Sequence, residues 1–151
     1  MEKVSAVITT HNRAKLLKRA IDSVAGQTYG NIEIIIVDDA STDGTEELCR
    51  GLANVKYIRV GEGESRGGNH ARNLGILAAK GKYVAFLDDD DCWKPDKIEK
   101  QVRLMEEKKC GVVFCGQRLE IMEGGNVRYA DLLPAEANQG NVSKKIVYNI
   151  V

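Results

Sequence analysis

Only two histidines, His11 and His70, occur in 151 residues, and none of the four cysteines forms a Cys-x-x-Cys pair. That scarcity excludes the usual zinc-binding patterns. Cys49, Cys92, Cys110 and Cys115 sit singly within helix- and strand-like segments, as expected of free thiols in a reducing compartment. An excess of charge is also missing. The 22 basic and 22 acidic residues cancel, which argues against a generic nucleic-acid binder. No apolar run approaches the roughly 20 residues that a membrane span requires. Met1-Glu2-Lys3 leads straight into an apolar strand, without the long apolar stretch of a signal peptide. Two phosphate-binding signatures are absent as well. The loop Gly61 to Gly68 does not end in the Walker Gly-Lys-Ser/Thr, and no Gly-x-Gly-x-x-Gly opens the first helix.

What is present is an ordinary globular composition, 43% hydrophobic, in a chain long enough for one domain with a core. Val4 to Thr9 reads as a buried strand, followed by the polar turn Thr10-His11-Asn12, with Asn12 as the expected helix N-cap. Leu16, Leu17, Ala20, Ile21 and Val24 share one helical face, and that helix should stop near Gly26. Further strands are expected at Ile32–Val37, Val55–Val60, Tyr83–Leu87 and Val112–Cys115. Helices are expected at Thr45–Leu52 and Asn69–Ala79, the latter with Gly81 as C-cap. A further helix should carry Pro95 in its first turn and bury Ile98, Val102 and Met105. Glu123-Gly124-Gly125-Asn126 predicts a hairpin. Strands alternating with helices predict a parallel sheet with right-handed crossovers. Ligands of such sheets sit at the carboxyl ends of the strands, so Thr10 to Asn12, Asp38 to Gly44 and Asp88 to Asp91 should share one rim.

The last of these segments is the most informative. An apolar strand ends at Leu87 and four carboxylates follow at once. Adjacent like charges repel and favour one another's protonation. Such a run is either a solvated turn or a place where a cation, with a phosphate behind it, neutralises the charge.

Four blocks together are specific. Val4-Ser-Ala-Val-Ile-Thr-Thr-His-Asn-Arg13, Ile36-Val-Asp-Asp-Ala-Ser-Thr-Asp-Gly-Thr45, Ala71-Arg-Asn73 and Gly81-Lys-Tyr-Val-Ala-Phe-Leu-Asp-Asp-Asp-Asp91 occur in this order. The set resembles a family 2 glycosyltransferase of the GT-A fold, over roughly residues 4 to 105. The resemblance implies an α/β, Rossmann-like fold with a mostly parallel central sheet flanked by helices. It also implies a single nucleotide-sugar-binding domain over 1–151, truncated at its C-terminus and lacking most of the acceptor region.

The same resemblance implies roles. Thr9 would border the nucleoside, and Asp39 would accept a hydrogen bond from uracil or a similar base. Arg72 would stand near the diphosphate, with Arg66 a competitor for that place. Asp88 or Asp89 would touch the ribose, and Asp90 would ligate a divalent metal, Mn²⁺ or Mg²⁺. Asp91 would support the loop, and Trp93 and Pro95 would shape it. The implied partners are a nucleotide-sugar donor and a glycan or lipid-linked acceptor, without nucleic acid and without a transmembrane segment. The implied setting is the cytoplasm or the inner face of the membrane, in cell-envelope polysaccharide synthesis. No acidic residue matches the family's catalytic base. Glu120, Glu123, Asp131 and Glu136 all lack its context. A nucleotide-sugar-binding module without transfer activity is the alternative expectation.

Overall fold

Runs of β-branched residues at the predicted places build one parallel sheet, and the helices between them cover it. The computed structural model describes residues 1–132, and the chain divides into two compact units, residues 1–100 and 101–151. The elements in chain order are β1 (Val4–Thr10), α1 (Ala14–Ala25), β2 (Ile32–Asp39), α2 (Thr45–Arg50), β3 (Val55–Val60), α3 (Gly68–Ala78), β4 (Tyr83–Asp88), α4 (Lys97–Lys108), β5 (Gln117–Glu123) and β6 (Asn126–Leu132).

The first four strands are parallel in the order β3-β2-β1-β4. The chain therefore grows outward on one side through β2 and β3, then returns to the other side of β1. The cleft at the carboxyl ends of β1 and β4 lies at this reversal. The register aligns Thr10 with Asp38 and Thr9 with Asp88, so the polar strand ends come level.

Alternation along the strands sends Val7, Ile35 and Val37 to one face, where they pack with Val60 and Ala71 of α3. Ala6, Ile8 and Ile36 alternate with them, and α1 buries Leu17, Ala20, Ile21 and Val24. Each such Leu or Ile contributes about 1.5–3 kcal/mol on burial. Helix α3 approaches the sheet at a glycine. A Cβ at Gly75 would stand 2.3 Å from Val7 Cγ1.

Four local expectations are corrected. Asn12 does not cap α1. It adopts a left-handed conformation (φ 54°), and its side-chain oxygen accepts the Thr42 N–H at 2.7 Å. The capping group comes from the neighbouring loop, where Asp43 accepts the Ala14 N–H at 3.0 Å and also the Thr45 N–H at 3.0 Å. One carboxylate thus serves the first turns of α1 and α2, and the two loops are joined by it and by Asn12 N–H to Ser41 Oγ at 2.8 Å. Gly81 is not the α3 C-cap, a place taken by Ala79. It is needed where the chain enters β4, because a Cβ there would lie 2.7 Å from the Ser5 backbone nitrogen. Pro95 precedes α4 by two residues, and its carbonyl accepts the Thr28 N–H. Residues 112–115 form no strand, since among the described residues no neighbouring strand offers that segment a ladder, and Val112 and Phe114 stay exposed.

In the second unit β5 and β6 form the expected antiparallel hairpin. Gly124 (φ 57°) and Gly125 (φ 83°) supply the left-handed pair that a two-residue turn requires. Arg118 and Asp131 pair across it at 2.7 Å.

Two expectations about stability follow from these contacts. Gly75→Ala should lower stability by about 1–3 kcal/mol through overpacking against stiff Val7, despite the better helix propensity of alanine. Thermal melts should show the loss, and Val7→Ala in the same chain should make the pair of changes less than additive. Asp43 lies below the ordinary carboxylate range because it accepts the Ala14 N–H and, next, the Thr45 hydroxyl. Its contribution is therefore complete above about pH 4 and is lost as pH falls through its lower folded-state value. Asp43→Ala should cost about 1–2 kcal/mol near neutrality, and melts should find the difference from the unsubstituted chain shrinking in acid.

Candidate functional site

The site is built where strands end, because a strand terminus leaves the ladder while its side chains remain at the sheet edge. A cleft of about 370 Å³ opens there, lined by Thr9, Thr10, His11, Arg13, Asp39, Gly68, Ala71, Arg72, Asp88, Asp89 and Asp90. All six residues singled out from the sequence, Thr9, Asp39, Arg72, Asp88, Asp89 and Asp90, are among them. Arg66 is exposed in the preceding loop and does not line the cleft.

The two carboxylates ending β2 have different fates. Asp38 is fully buried and accepts the Ser41 N–H at 2.9 Å and the Tyr57 hydroxyl at 2.6 Å, with Arg59 at 3.5 Å. It is a structural anchor. Burial, and then the bond to Asp38, pushes the Tyr57 hydroxyl well above its ordinary range. Burial, and then the charge of Asp38, pushes the Cys49 thiol up to about 11, so that thiol is inert.

Asp39 is 7% exposed. Its Oδ2 accepts the Gly67 N–H at 3.2 Å, while Oδ1 is buried without a hydrogen-bond partner. Buried polar atoms are rarely left so. Two left-handed residues frame this carboxylate. Gly67 (φ 80°) turns the chain into α3, and Ala40 (φ 63°) leaves β2 in a conformation that costs an alanine roughly 1–2 kcal/mol.

His11 closes the rim. Its Nδ1 lies 2.6 Å from the Asp39 carbonyl oxygen, so it donates there, and Nε2 accepts from Asn12 Nδ2 at 3.1 Å.

The acidic run after β4 is divided among donors. Asp88 pairs with Arg72. Asp89 is buried, and accepts the Thr10 hydroxyl at 2.8 Å and Arg13 Nη1 at 3.1 Å. Asp90 is half exposed and pairs with the same Arg13 nitrogen at 2.9 Å. Asp91 has no arginine. Loss of solvent, then the charges of Asp90 and Asp88, hold its carboxyl above the ordinary range. Trp93 is buried and its backbone N–H donates to Ser23 Oγ at 3.1 Å, which fixes the turn against α1.

Thr10 and His11 lie in a segment that the sequence placed on this rim, but neither they nor Arg13 and Gly67 were given a role there. The signal available was their position at the carboxyl end of β1 and immediately before α3. Among the described residues no group of three or more His, Cys, Asp or Glu is arranged to hold an ion, and no helix is long and apolar enough to cross a membrane.

Comparison with known proteins bears on the same cleft. The profile of Glycosyl transferase family 2 matches residues 5–150. The chain is 40% identical over 144 residues to the Escherichia coli UDP-Glc:alpha-D-GlcNAc-diphosphoundecaprenol beta-1,3-glucosyltransferase WfaP, covering 95% of this chain and 57% of that protein. It is 38% identical over 128 residues to the putative teichuronic acid biosynthesis glycosyltransferase TuaG of Bacillus subtilis, covering 80% and 49%. Among solved structures, S. aureus TarS 1-349 in complex with UDP-GlcNAc superposes with a TM-score of 0.63 at 29% identity, over 70% of this chain and 31% of that one. The mannosyltransferase PcManGT of Pyrobaculum calidifontis, in complex with GDP-Man and Mn²⁺, gives 0.61 at 31% identity, over 69% and 32%. The chain spans about half the length of the curated relatives described. The parallel sheet, its flanking helices and the ordered blocks at its carboxyl rim are thus those of the expected GT-A fold, and the chain belongs to glycosyl transferase family 2.

Proposed function

We propose that this chain is the donor-binding part of an inverting glycosyltransferase that takes its sugar from a UDP-sugar and passes it to a glycan or lipid-linked acceptor hydroxyl. The observation that carries the reading is the partnerless, buried Asp39 Oδ1 in the cleft. A buried acceptor left unsatisfied costs about 1–3 kcal/mol, which a ligand N–H would recover. Gly67 already donates to Oδ2, and Oδ1 is the oxygen left without a partner. That suits a base with a single ring N–H between two carbonyls, uracil or thymine. Guanine presents two adjacent N–H donors and calls for both oxygens. The names of the glucosyltransferase relative and of the TarS complex point to UDP, and the mannosyltransferase supplies the GDP comparison.

Thr9 and Asp88 line the same cleft, level with each other on β1 and β4, and Asp88 is the exposed carboxylate available to a ribose hydroxyl. Arg72 stands beside Asp88 and offers a permanent positive charge to the diphosphate. Arg72 takes only Oδ1 of Asp88 and Arg13 only Oδ2 of Asp90, so Asp88 and Asp90 each keep an oxygen to offer. Hard oxygen donors of this kind, too few to cage an ion alone, fit Mn²⁺ or Mg²⁺ completed by phosphate oxygens, with Asp90 as ligand. Such an ion stabilises negative charge growing on the leaving diphosphate.

In the transfer itself the bond from the anomeric carbon to phosphate oxygen breaks as the acceptor oxygen bonds that carbon from the opposite face. The electron pair leaves with the nucleoside diphosphate, and the acceptor proton passes to a carboxylate. No described carboxylate is assigned that last role. Glu123 and Asp131 are paired with Arg128 and Arg118 on the hairpin, and Glu136 lies outside the described residues. We place the base and the acceptor contacts in the further length of the relatives. The setting that goes with this chemistry is the cytoplasm, at the inner membrane face for a lipid-linked acceptor, within cell-envelope polysaccharide synthesis.

Calorimetry tests the donor reading. UDP should bind more tightly than GDP, Asp39→Ala should weaken UDP by about 1.5–3 kcal/mol, and EDTA should weaken it too. Tighter GDP binding would overturn the base assignment, and indifference to EDTA would remove the metal. The transfer reading predicts that the 151-residue chain alone moves little sugar, while a version extended to the relatives' length does. A missing general base alone accounts for roughly 10²–10⁴-fold. Comparable transfer by both would put the base within this chain, and none by either across a broad panel would leave a binding module.

A further inference from the structure

Arg13 reaches from the start of α1 to the acidic turn after β4, and a single nitrogen makes both of its contacts. Nη1 donates to Asp89 Oδ1 at 3.1 Å and to Asp90 Oδ2 at 2.9 Å. A terminal guanidinium nitrogen carries two hydrogens, and these two bonds use them. The two carboxylates hold it with different strength. The Asp89 side chain is 6% exposed, and a carboxylate so buried needs a charged partner, with the Thr10 hydroxyl as its other bond. The Asp90 side chain is 50% exposed and is solvated without help. Arg13 is therefore fastened by Asp89 and only leans on Asp90.

We propose that Arg13 is the resident cation of this site. It holds the acidic turn against β1 before any ligand arrives, and it sets the divalent-ion affinity of Asp90 by competing for that carboxylate. The inference rests on reading Asp90 as the cation ligand. It also orders the binding events. Two guanidiniums, Arg13 and Arg72, offset part of the negative charge of Asp88, Asp89 and Asp90. That field attracts a free divalent ion weakly. A nucleoside diphosphate brings the missing negative charge, so the ion enters with the nucleotide rather than ahead of it. Arg13 is a positioning residue in this scheme and touches neither the sugar nor the base.

The test is Mn²⁺ binding to the intact 151-residue chain without nucleotide, followed by electron paramagnetic resonance of the free ion. Removing one positive charge about 5 Å from a divalent ion at a wet surface should tighten binding by on the order of ten-fold, so Arg13→Gln should bind Mn²⁺ that much better. Added salt should shrink the gain. Arg13→Lys keeps a charge for Asp89 on a shorter side chain and should show the same sign at smaller size, which keeps the inference testable if the glutamine variant does not fold. In metal-free buffer the affinity for UDP should move the opposite way and fall in Arg13→Gln. Loss of both affinities together would reveal a merely structural residue. Mn²⁺ binding that is unchanged, weaker or undetectable in the folded variants would overturn the proposal. The Mn²⁺ measurement contains no nucleotide, so failure of the unsubstituted chain to bind UDP would strike the donor reading and the order of binding, and leave the competition between Arg13 and the ion for Asp90 standing.

Discussion

Five carboxylates, Asp38, Asp39, Asp88, Asp89 and Asp90, crowd the carboxyl edge of one small parallel sheet, and their mutual repulsion is the constraint around which the rest is arranged. Each is answered by a donor from a different part of the chain. Tyr57 and Arg59 come from β3, the Gly67 N–H from the turn before α3, Arg72 from α3, Thr10 from β1 and Arg13 from the start of α1. The donors lie on elements that the parallel topology brings to the same rim. Neutralising the edge and closing the fold are thus one event, and losing one partner of a buried pair is far costlier than the pair's net worth.

Among the described residues the compensation has a single gap. Every oxygen of the buried Asp38 and Asp89 carboxylates is engaged, while buried Asp39 keeps one that is not. Among the described residues Asp39 Oδ1 is the buried side-chain polar atom without a hydrogen-bond partner, and it lies in the cleft. The neighbouring backbone agrees, since Ala40 and Asn12 hold left-handed conformations at the ends of β2 and β1, where they set the rim's shape.

The positions at which pattern reading went astray share a cause. Asn12 is a good cap by type, yet a residue 31 positions later supplies the carboxylate that α1 uses. Gly81 looked like a helix terminator and is instead required by close contact with β1. Residues 112–115 have the composition of a strand, but a strand exists only with a neighbour to pair with. In each case the deciding group is remote in sequence. The contacts of Arg13 and His11 were not foreseen for the same reason, since their partners Asp89, Asp90 and the Asp39 carbonyl lie 28 or more residues away.

By itself the sequence determined the order of the first four strands and the helices between them, the parallel sheet and the placing of the strand-end segments Thr10 to Asn12, Asp38 to Gly44 and Asp88 to Asp91 on one rim. Those follow from local periodicity and from the rule that parallel strands share a carboxyl end. Only the tertiary structure decided which carboxylates are spent on the fold and which are open. Asp38 and Asp39 are adjacent and chemically identical, as are Asp89 and Asp90. What separates the members of each pair is burial and the identity of a long-range donor, and neither quantity is a property of local sequence.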